Sequence, residues 1–321
     1  MLFSIFMIFI GLALLIIGAD FLVRGASNIA AKFHVPEILI GLTIVALGTS
    51  APELIITITS AQVGATNLIL GNAIGSNFCN LLLILGIMGL VRPIKMNEDV
   101  KKVHLPVTLF ATFLLFFMGI ININSNSRFL SRTDGIILVV LFLLYFSYPI
   151  FKEIKDIVKS YKENKNKNSN INIFFAIFQI ILGVVLLKFG GDFVVDYASN
   201  IAMDLNISEI VIGSTIVAIG TAMPELVTSI IAIIRKDTNL AVGNLVGSCV
   251  LNIFLILGVG AIITPLQFSS KFNLGILLLF ISTLVLWIFN FIGKKETITR
   301  TKSIFLLLLF SIYIYTLFLE Q

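Results

Sequence analysis

The sequence predicts an all-α membrane protein of ten transmembrane helices arranged as two inverted five-helix repeats. Three observations predict it: an oily composition, ten apolar stretches of spanning length, and an internal repeat with an odd number of spans per unit. Of 321 residues, 58% are hydrophobic and only 12% are charged, and mean hydropathy is +1.07. Soluble domains carry about 25% charged residues. Half that share excludes an ordinary soluble enzyme, a disordered chain and a nucleic-acid binder. The net charge of +5 sits in short loops, so it reports topology and not a nucleic-acid patch. Cys79 and Cys249 lie inside apolar runs and give neither a disulfide framework nor metal-ligand spacing.

A bilayer core about 30 Å thick takes about 20 apolar residues per helix. The first span, 3–23, lacks a positive leader and a small-residue cleavage site, so it reads as a retained helix and not a signal peptide. Spans 37–62 and 68–91 follow, both interrupted by Gly or Pro, and then 104–122 and 134–151. Residues 152–170 are Lys/Asn-rich and apolar-poor, which predicts a solvated linker. Five more spans come after it: 173–195, 209–234, 240–264, 273–293 and 303–319. The expected organisation is a first repeat over 1–151, a linker over 152–172 and a second repeat over 173–321.

Lys and Arg set the orientation. With ten spans, eighteen of the 22 cationic residues fall in loops on the side opposite the termini. Arg128, Arg132 and Lys271 fall on the terminal side, and Lys188 lies within a span. The linker is therefore expected in the cytoplasm and both termini outside, in a multi-pass protein of the plasma (inner) membrane.

The halves align without a gap at an offset of 172. GLTIVALGTSAPE (41–53) falls on GSTIVAIGTAMPE (213–225), identical at nine of thirteen positions. GNAIGSNFCN (71–80) falls on GNLVGSCVLN (243–252), identical at five of ten. Asp20 meets Asp192, Glu37 meets Glu209 and Pro93 meets Pro265. Shared oiliness aligns Leu with Ile, but not Gly, Asn, Thr, Pro and Glu in register. Five spans per half means that the second half enters the membrane from the other side. That architecture belongs to secondary transporters, with the binding site near the midplane on interrupted helices.

Glu53 and Glu225 lie mid-span, where a carboxylate costs several kcal/mol unless it meets a cation or a polar cavity. Two together would repel until one protonated, and a divalent cation between them removes the conflict. Oxygen-only surroundings select a hard ion: Ca2+, Na+ or Mn2+. Pro52 and Pro224 free carbonyls one turn back, which an ion can satisfy. Thr49, Ser50 and Thr221 add hydroxyls. Ser76 with Asn80, and Ser248 with Asn252, offer a hydroxyl and an amide at i and i+4, on one helix face. The alternative use of these polar residues is hydrogen bonding between helices. Asn72 and Asn244 read as helix-start caps. Gly41, Gly71 and Gly75, with Gly213, Gly243 and Gly247, read as close-packing positions. Asp20 and Asp192 read as interfacial, and neither His34 nor His104 reads as a ligand.

GTSAPE followed by GNAIGSNFCN, repeated as GTAMPE and GNLVGSCVLN, resembles the two alpha repeats of the sodium/calcium exchanger family, in the Ca2+/cation antiporter superfamily. The resemblance implies Na+/Ca2+ exchange by alternating access, with the ions as transported substrates and no cofactor. It implies an ion site of Ala46 (through its carbonyl), Thr49, Ser50, Glu53, Ser76 and Asn80, with Ala218, Thr221, Glu225, Ser248 and Asn252. Two positions depart from the family pattern. Ala222 stands where a second-repeat Ser is common, and Asn252 stands where K+-dependent relatives carry Asp. The expected partners are Ca2+, Na+ and lipid, with no nucleic acid and no obligate protein partner. Rival readings are a Ca2+/H+ antiporter, an intramembrane hydrolase with two acids, and a passive channel. The hydrolase lacks a nucleophile–base set.

Overall fold

The computed structural model describes residues 2–33, 35–120, 129–163, 171–204, 218–269, 272–289, 291 and 297–319. The expectations for His34, Glu209, Gly213, Arg128, Lys271 and the later part of the linker lie outside these residues. In chain order the helices begin with α1 (Leu2–Phe33), α2 (Glu37–Ile40), α3 (Ala46–Thr49) and α4 (Ala51–Gln62). Next come α5 (Thr66–Phe78), α6 (Leu85–Val91), α7 (Leu105–Ile120), α8 (Arg132–Glu163) and α9 (Ile173–Asp204). The later helices are α10 (Ala218–Thr221), α11 (Met223–Ile234), α12 (Thr238–Leu251) and α13 (Leu257–Ile263). The last two are α14 (Phe272–Phe289) and α15 (Arg300–Leu319). Wider π-helical turns cover Gly41–Val45, Cys79–Ile84, Val100–His104 and Asn252–Ile256.

The protein is a mostly helical membrane protein. Among the described residues seven helices are long and apolar enough to cross a bilayer, or eight if the helices on either side of Ser50 make one broken span. The first helix runs ten residues beyond the expected end of its span, and its extra turns carry Arg24, Ser27 and Asn28. Asp20 therefore sits inside a helix, ion-paired with Arg24 at 2.8 Å and with Arg235. Likewise α8 continues through Glu163, so the expected linker begins as helix. Lys and Glu are good helix formers, and a solvated segment rich in them extends a helix readily.

The chain forms two compact units, each drawing on both halves of the sequence. One comprises Met1–Thr49 and Leu143–Asn244, the other Ser50–Phe142 and Leu245–Gln321. In the first unit α1 packs along α9. A Cβ on Gly11, Gly18 or Gly25 would lie 2.9, 2.9 or 2.7 Å from the carbonyl oxygens of Gly190, Gly183 and Ala176. The spacing of seven keeps these small residues on one stripe, and the descending partner numbers make the pair antiparallel. Without a hydrophobic drive between helices in lipid, such close backbone approach supplies the packing energy.

In the second unit the central element is α5, its π turn and α6. Phe78 stacks on Tyr313 of α15 with centroids 3.6 Å apart. Two short antiparallel ladders tie loops together. β1 (Ile94–Lys95) pairs with β4 (Thr297–Ile298), and β2 (Phe129–Leu130) pairs with β3 (Leu266–Gln267). His104 is buried in a π turn.

Candidate functional site

The two glutamates sit at matching places in matching helices. Each opens a 12-residue helix with Pro in its first turn, Pro52–Glu53 in α4 and Pro224–Glu225 in α11. The residues before these helices, Ser50 and Ala222, have nearly the same backbone, φ −86°, ψ 8° and φ −84°, ψ 0°. Proline at a helix start suits the fixed φ and the missing N–H. The expected carbonyl-freeing kink is thus a break between two short helices. Glu53 and Glu225 are each only 1% exposed, which places both carboxylates away from solvent.

The second unit gathers Ser50, Glu53, Ser76, Asn80, Ser248 and Asn252. Helix α4 packs against α5 and against the π turn that begins at Asn252, and α5 packs against the same turn. Ser50 Oγ donates to Ser248 Oγ at 3.1 Å. Asn252 Nδ2 donates to Oδ1 of Asn77 at 3.5 Å. Ser76 Oγ, Asn80 Oδ1 and Asn252 Oδ1 are buried with no hydrogen-bond partner among the described residues. Buried polar atoms are normally satisfied. Three orphan oxygens in one packed region are what a bound hard cation would satisfy. Asn80 and Asn252 each occupy a π-helical turn, a distortion common at functional sites.

The first unit gathers Ala46 and Thr49 on α3 with Glu225 on α11, and these two helices pack together. Ala218 and Thr221 form α10, which adjoins α11. Thr49 and Ala46 are fully buried. Among the described residues no three His, Cys, Asp or Glu side chains gather into a metal-holding group. The oxygens on offer come from hydroxyls, amides and carbonyls as well as the two acids, a donor set for hard ions. A cavity of about 580 Å³ in the first unit, around Ser27, Glu37, Gln179 and Asp237, includes none of the candidate ligands.

Three sequence expectations need correction. Asn72 and Asn244 are not caps. Helix α12 is capped by Asp237, whose Oδ1 accepts from Leu240 N at 3.1 Å, so Asn244 lies mid-helix. Helix α5 begins at Thr66, just after Gly64 with φ +73°, which places Asn72 mid-helix too. Asn72 Nδ2 donates to the backbone oxygen of Glu53 at 3.4 Å. Gly71 is not a close-packing position, since an added Cβ would meet only a Phe272 ring carbon at 3.9 Å. Sequence reasoning also missed Asn77, fully buried beside Asn252. Its one signal was an extra amide between Ser76 and Asn80, with no counterpart in the second repeat.

Comparison with known proteins gives the family of the chain. The family described as sodium/calcium exchanger protein matches residues 3–151 and 175–319. The chain is 34% identical to the putative antiporter CaxA of Alkalimonas amylolytica, over 99% of both. It is 31% identical to the sodium/calcium exchanger MaX1 of Methanosarcina acetivorans, over 96% of this chain and 97% of that one. A solved structure of the sodium-calcium exchanger NCX_Mj, soaked with Na+ and without Ca2+, superposes with a TM-score of 0.82. It is 31% identical and the match covers 97% of this chain and 98% of that one. With both halves of its length matched, the chain belongs to the sodium/calcium exchanger family.

Proposed function

We propose that the protein exchanges Na+ for Ca2+ across the plasma (inner) membrane by alternating access, with one Ca2+ held by Glu53 and Glu225. The observation that carries this reading is the pair of buried glutamates at repeat-equivalent positions, in a chain of the exchanger family. A divalent ion neutralises both carboxylates, and so do several Na+ held with Thr49, Ser50, Thr221, Ser76, Ser248, Asn80 and Asn252. The carbonyls of Ala46 and Ala218 complete the donor set. Either load lets a site of low dielectric close, whereas two bare charges oppose closure and prevent leak. Ten spans in two inverted five-helix repeats provide the frame.

The test is Ca2+ uptake into vesicles loaded with Na+. Uptake that requires internal Na+ and survives a proton uncoupler supports the reading. Uptake that ignores Na+ and collapses with the uncoupler selects the second reading, Ca2+/H+ antiport. That reading has its own motive, because buried carboxylates take up protons readily, and the match to CaxA names only an antiporter.

Two further outcomes follow. A reporter fused after Gln321 is expected to read periplasmic and one inserted at Asn166 cytoplasmic, because eighteen of 22 cationic residues lie on the linker side. Reversed labels overturn the span count or the orientation. At the first departure from the family pattern, Ala222 is buried and shares the backbone of Ser50, whose hydroxyl is used. Ala222→Ser is expected to strengthen Na+ competition several-fold, the effect of about 1 kcal/mol from one neutral ligand, and to change Ca2+ affinity much less. Na+ inhibition of Ca2+ binding measures it, and equal shifts for both ions refute a Na+-selective role for position 222.

A further inference from the structure

We infer that Asn244 is a positioning residue that turns the Thr49 hydroxyl and the Ala46 carbonyl toward an ion, an inference that rests on the exchange reading above. Asn244 is fully buried in the middle of α12. It touches two helices of the first unit that carry candidate ligands, α3 and α11. Its Oδ1 accepts from Thr49 Oγ1 of α3 at 3.1 Å. Its Nδ2 donates to Ser229 Oγ of α11 at 3.1 Å. Ser229 is fully buried and lies one turn beyond Glu225, on the same face of that helix.

A hydroxyl has one proton and two lone pairs. Thr49 has two acceptors in reach, Asn244 Oδ1 at 3.1 Å and, within its own helix, Ala46 O at 3.4 Å. Each choice has a different consequence for a cation. If the proton goes to Ala46, it takes one of the two lone pairs of that carbonyl. If it goes to Asn244, the carbonyl is released and the hydroxyl lone pairs face away from the proton. The shorter distance is to Asn244. Ser229 fixes the direction of this choice. Because Nδ2 is engaged by Ser229, the amide presents its oxygen, and not its NH2, to Thr49. The chain Ser229–Asn244–Thr49 thus delivers two neutral oxygens, Thr49 Oγ1 and Ala46 O, to one cation. Neutral oxygens matter most for Na+, because the glutamates alone satisfy much of the charge of Ca2+.

The repeat-equivalent Asn72 does something else, donating to the backbone of Glu53. The two Gly-Asn pairs therefore hold up the site by different bonds.

The experiment measures the Na+ concentration for half-maximal Na+-driven uptake of radiolabelled Ca2+ in vesicles, for Thr49→Ala, Asn244→Leu and the double variant. Thr49→Ala is expected to raise it several-fold. Asn244→Leu is expected to raise it several-fold, because losing the acceptor returns the Thr49 proton to Ala46 and takes one lone pair of that carbonyl. The double variant is expected to match Thr49→Ala alone. With no hydroxyl left, Ala46 O is free again and Asn244 has nothing to orient. For Asn244→Leu maximal uptake is expected within about twofold of wild type, a split between half-saturation and rate that loose packing does not produce. Should Asn244→Leu fail to fold, Ser229→Ala carries the same comparison, with a smaller shift that vanishes in the Thr49→Ala background. Additive shifts in the double variant overturn the inference and leave Thr49 as a ligand. No shift in Thr49→Ala overturns the ligand assignment and the inference together.

Discussion

Glu53→Gln and Glu225→Gln are each expected to lower Na+-driven Ca2+ uptake by about 100-fold or more while the protein still reaches the membrane. Gln keeps the volume and the hydrogen-bonding reach of Glu and removes only the charge. Both side chains are 1% exposed, so solvent screens little of what is lost. Breaking a buried ion pair by removing one partner costs about 3–5 kcal/mol, which is about two to three and a half decades in binding at 1.4 kcal/mol per decade. The folded protein should not suffer with it. A neutral amide is less costly to bury than a carboxylate, so without ions the melting temperature is expected to hold or rise. What disappears is the upward shift of melting temperature on adding Ca2+, since a ligand stabilises only the state it binds. Uptake at the wild-type rate in either variant refutes the ligand assignment. Loss of folded protein in both would mean that the carboxylates serve structure first.

Much of this was legible in the sequence because lipid is a strict solvent. Spanning length and low charge predicted helices, and among the described residues the structure has seven long apolar ones or eight with the broken pair. A mid-span Glu is costly, so Glu53 and Glu225 stood out, and both proved to be buried. Helix ends were harder to read. The ends of α1 and α8 lie in water-facing sequence, where Arg24, Lys32 and the Lys/Glu run of 152–163 suit helix as well as loop. The roles of Asn72 and Asn244 depended on where their helices start. Gly64 and Asp237 decide that, and neither reads as a boundary by hydropathy alone. The glycine stripe of α1, Gly11, Gly18 and Gly25 at intervals of seven, was not read from the sequence. Its partner stripe, Gly183 and Gly190, is visible only once an antiparallel pairing of α1 with α9 is assumed. The hydroxyl proton of Thr49 was beyond any pattern, since it is set by an amide 195 residues away.

Gly41→Ala and Gly243→Ala are expected to destabilise the protein severely, whereas Gly71→Ala is expected to be neutral or stabilising. All three glycines occupy the same kind of position in the sequence, beside the repeat motifs. Their surroundings differ. In the first unit, a Cβ on Gly243 would lie 2.5 Å from Ile38 O, 3.0 Å from Leu42 N and 3.2 Å from Gly41 Cα. A Cβ on Gly41 would be driven into Leu240 O and would lie 3.1 Å from Asn244 N. Every one of these neighbours is backbone, so no side chain can swing aside and the two helical segments must separate. Overpacking a core typically costs about 1–3 kcal/mol and sometimes more, and here separation also stretches the 3.1 Å bond between Asn244 and Thr49. Each variant is therefore expected to lose several degrees or more of melting temperature and, where it folds, to need more Na+ for half-maximal exchange. Gly71 meets only the Phe272 ring at 3.9 Å and sits inside α5. Ala there fills open space and gains up to about 1 kcal/mol of helix propensity. Thermal unfolding of the three detergent-purified variants checks the contrast. Equal destabilisation by all three would show that the glycines act through helix flexibility and not through the close crossing of these segments.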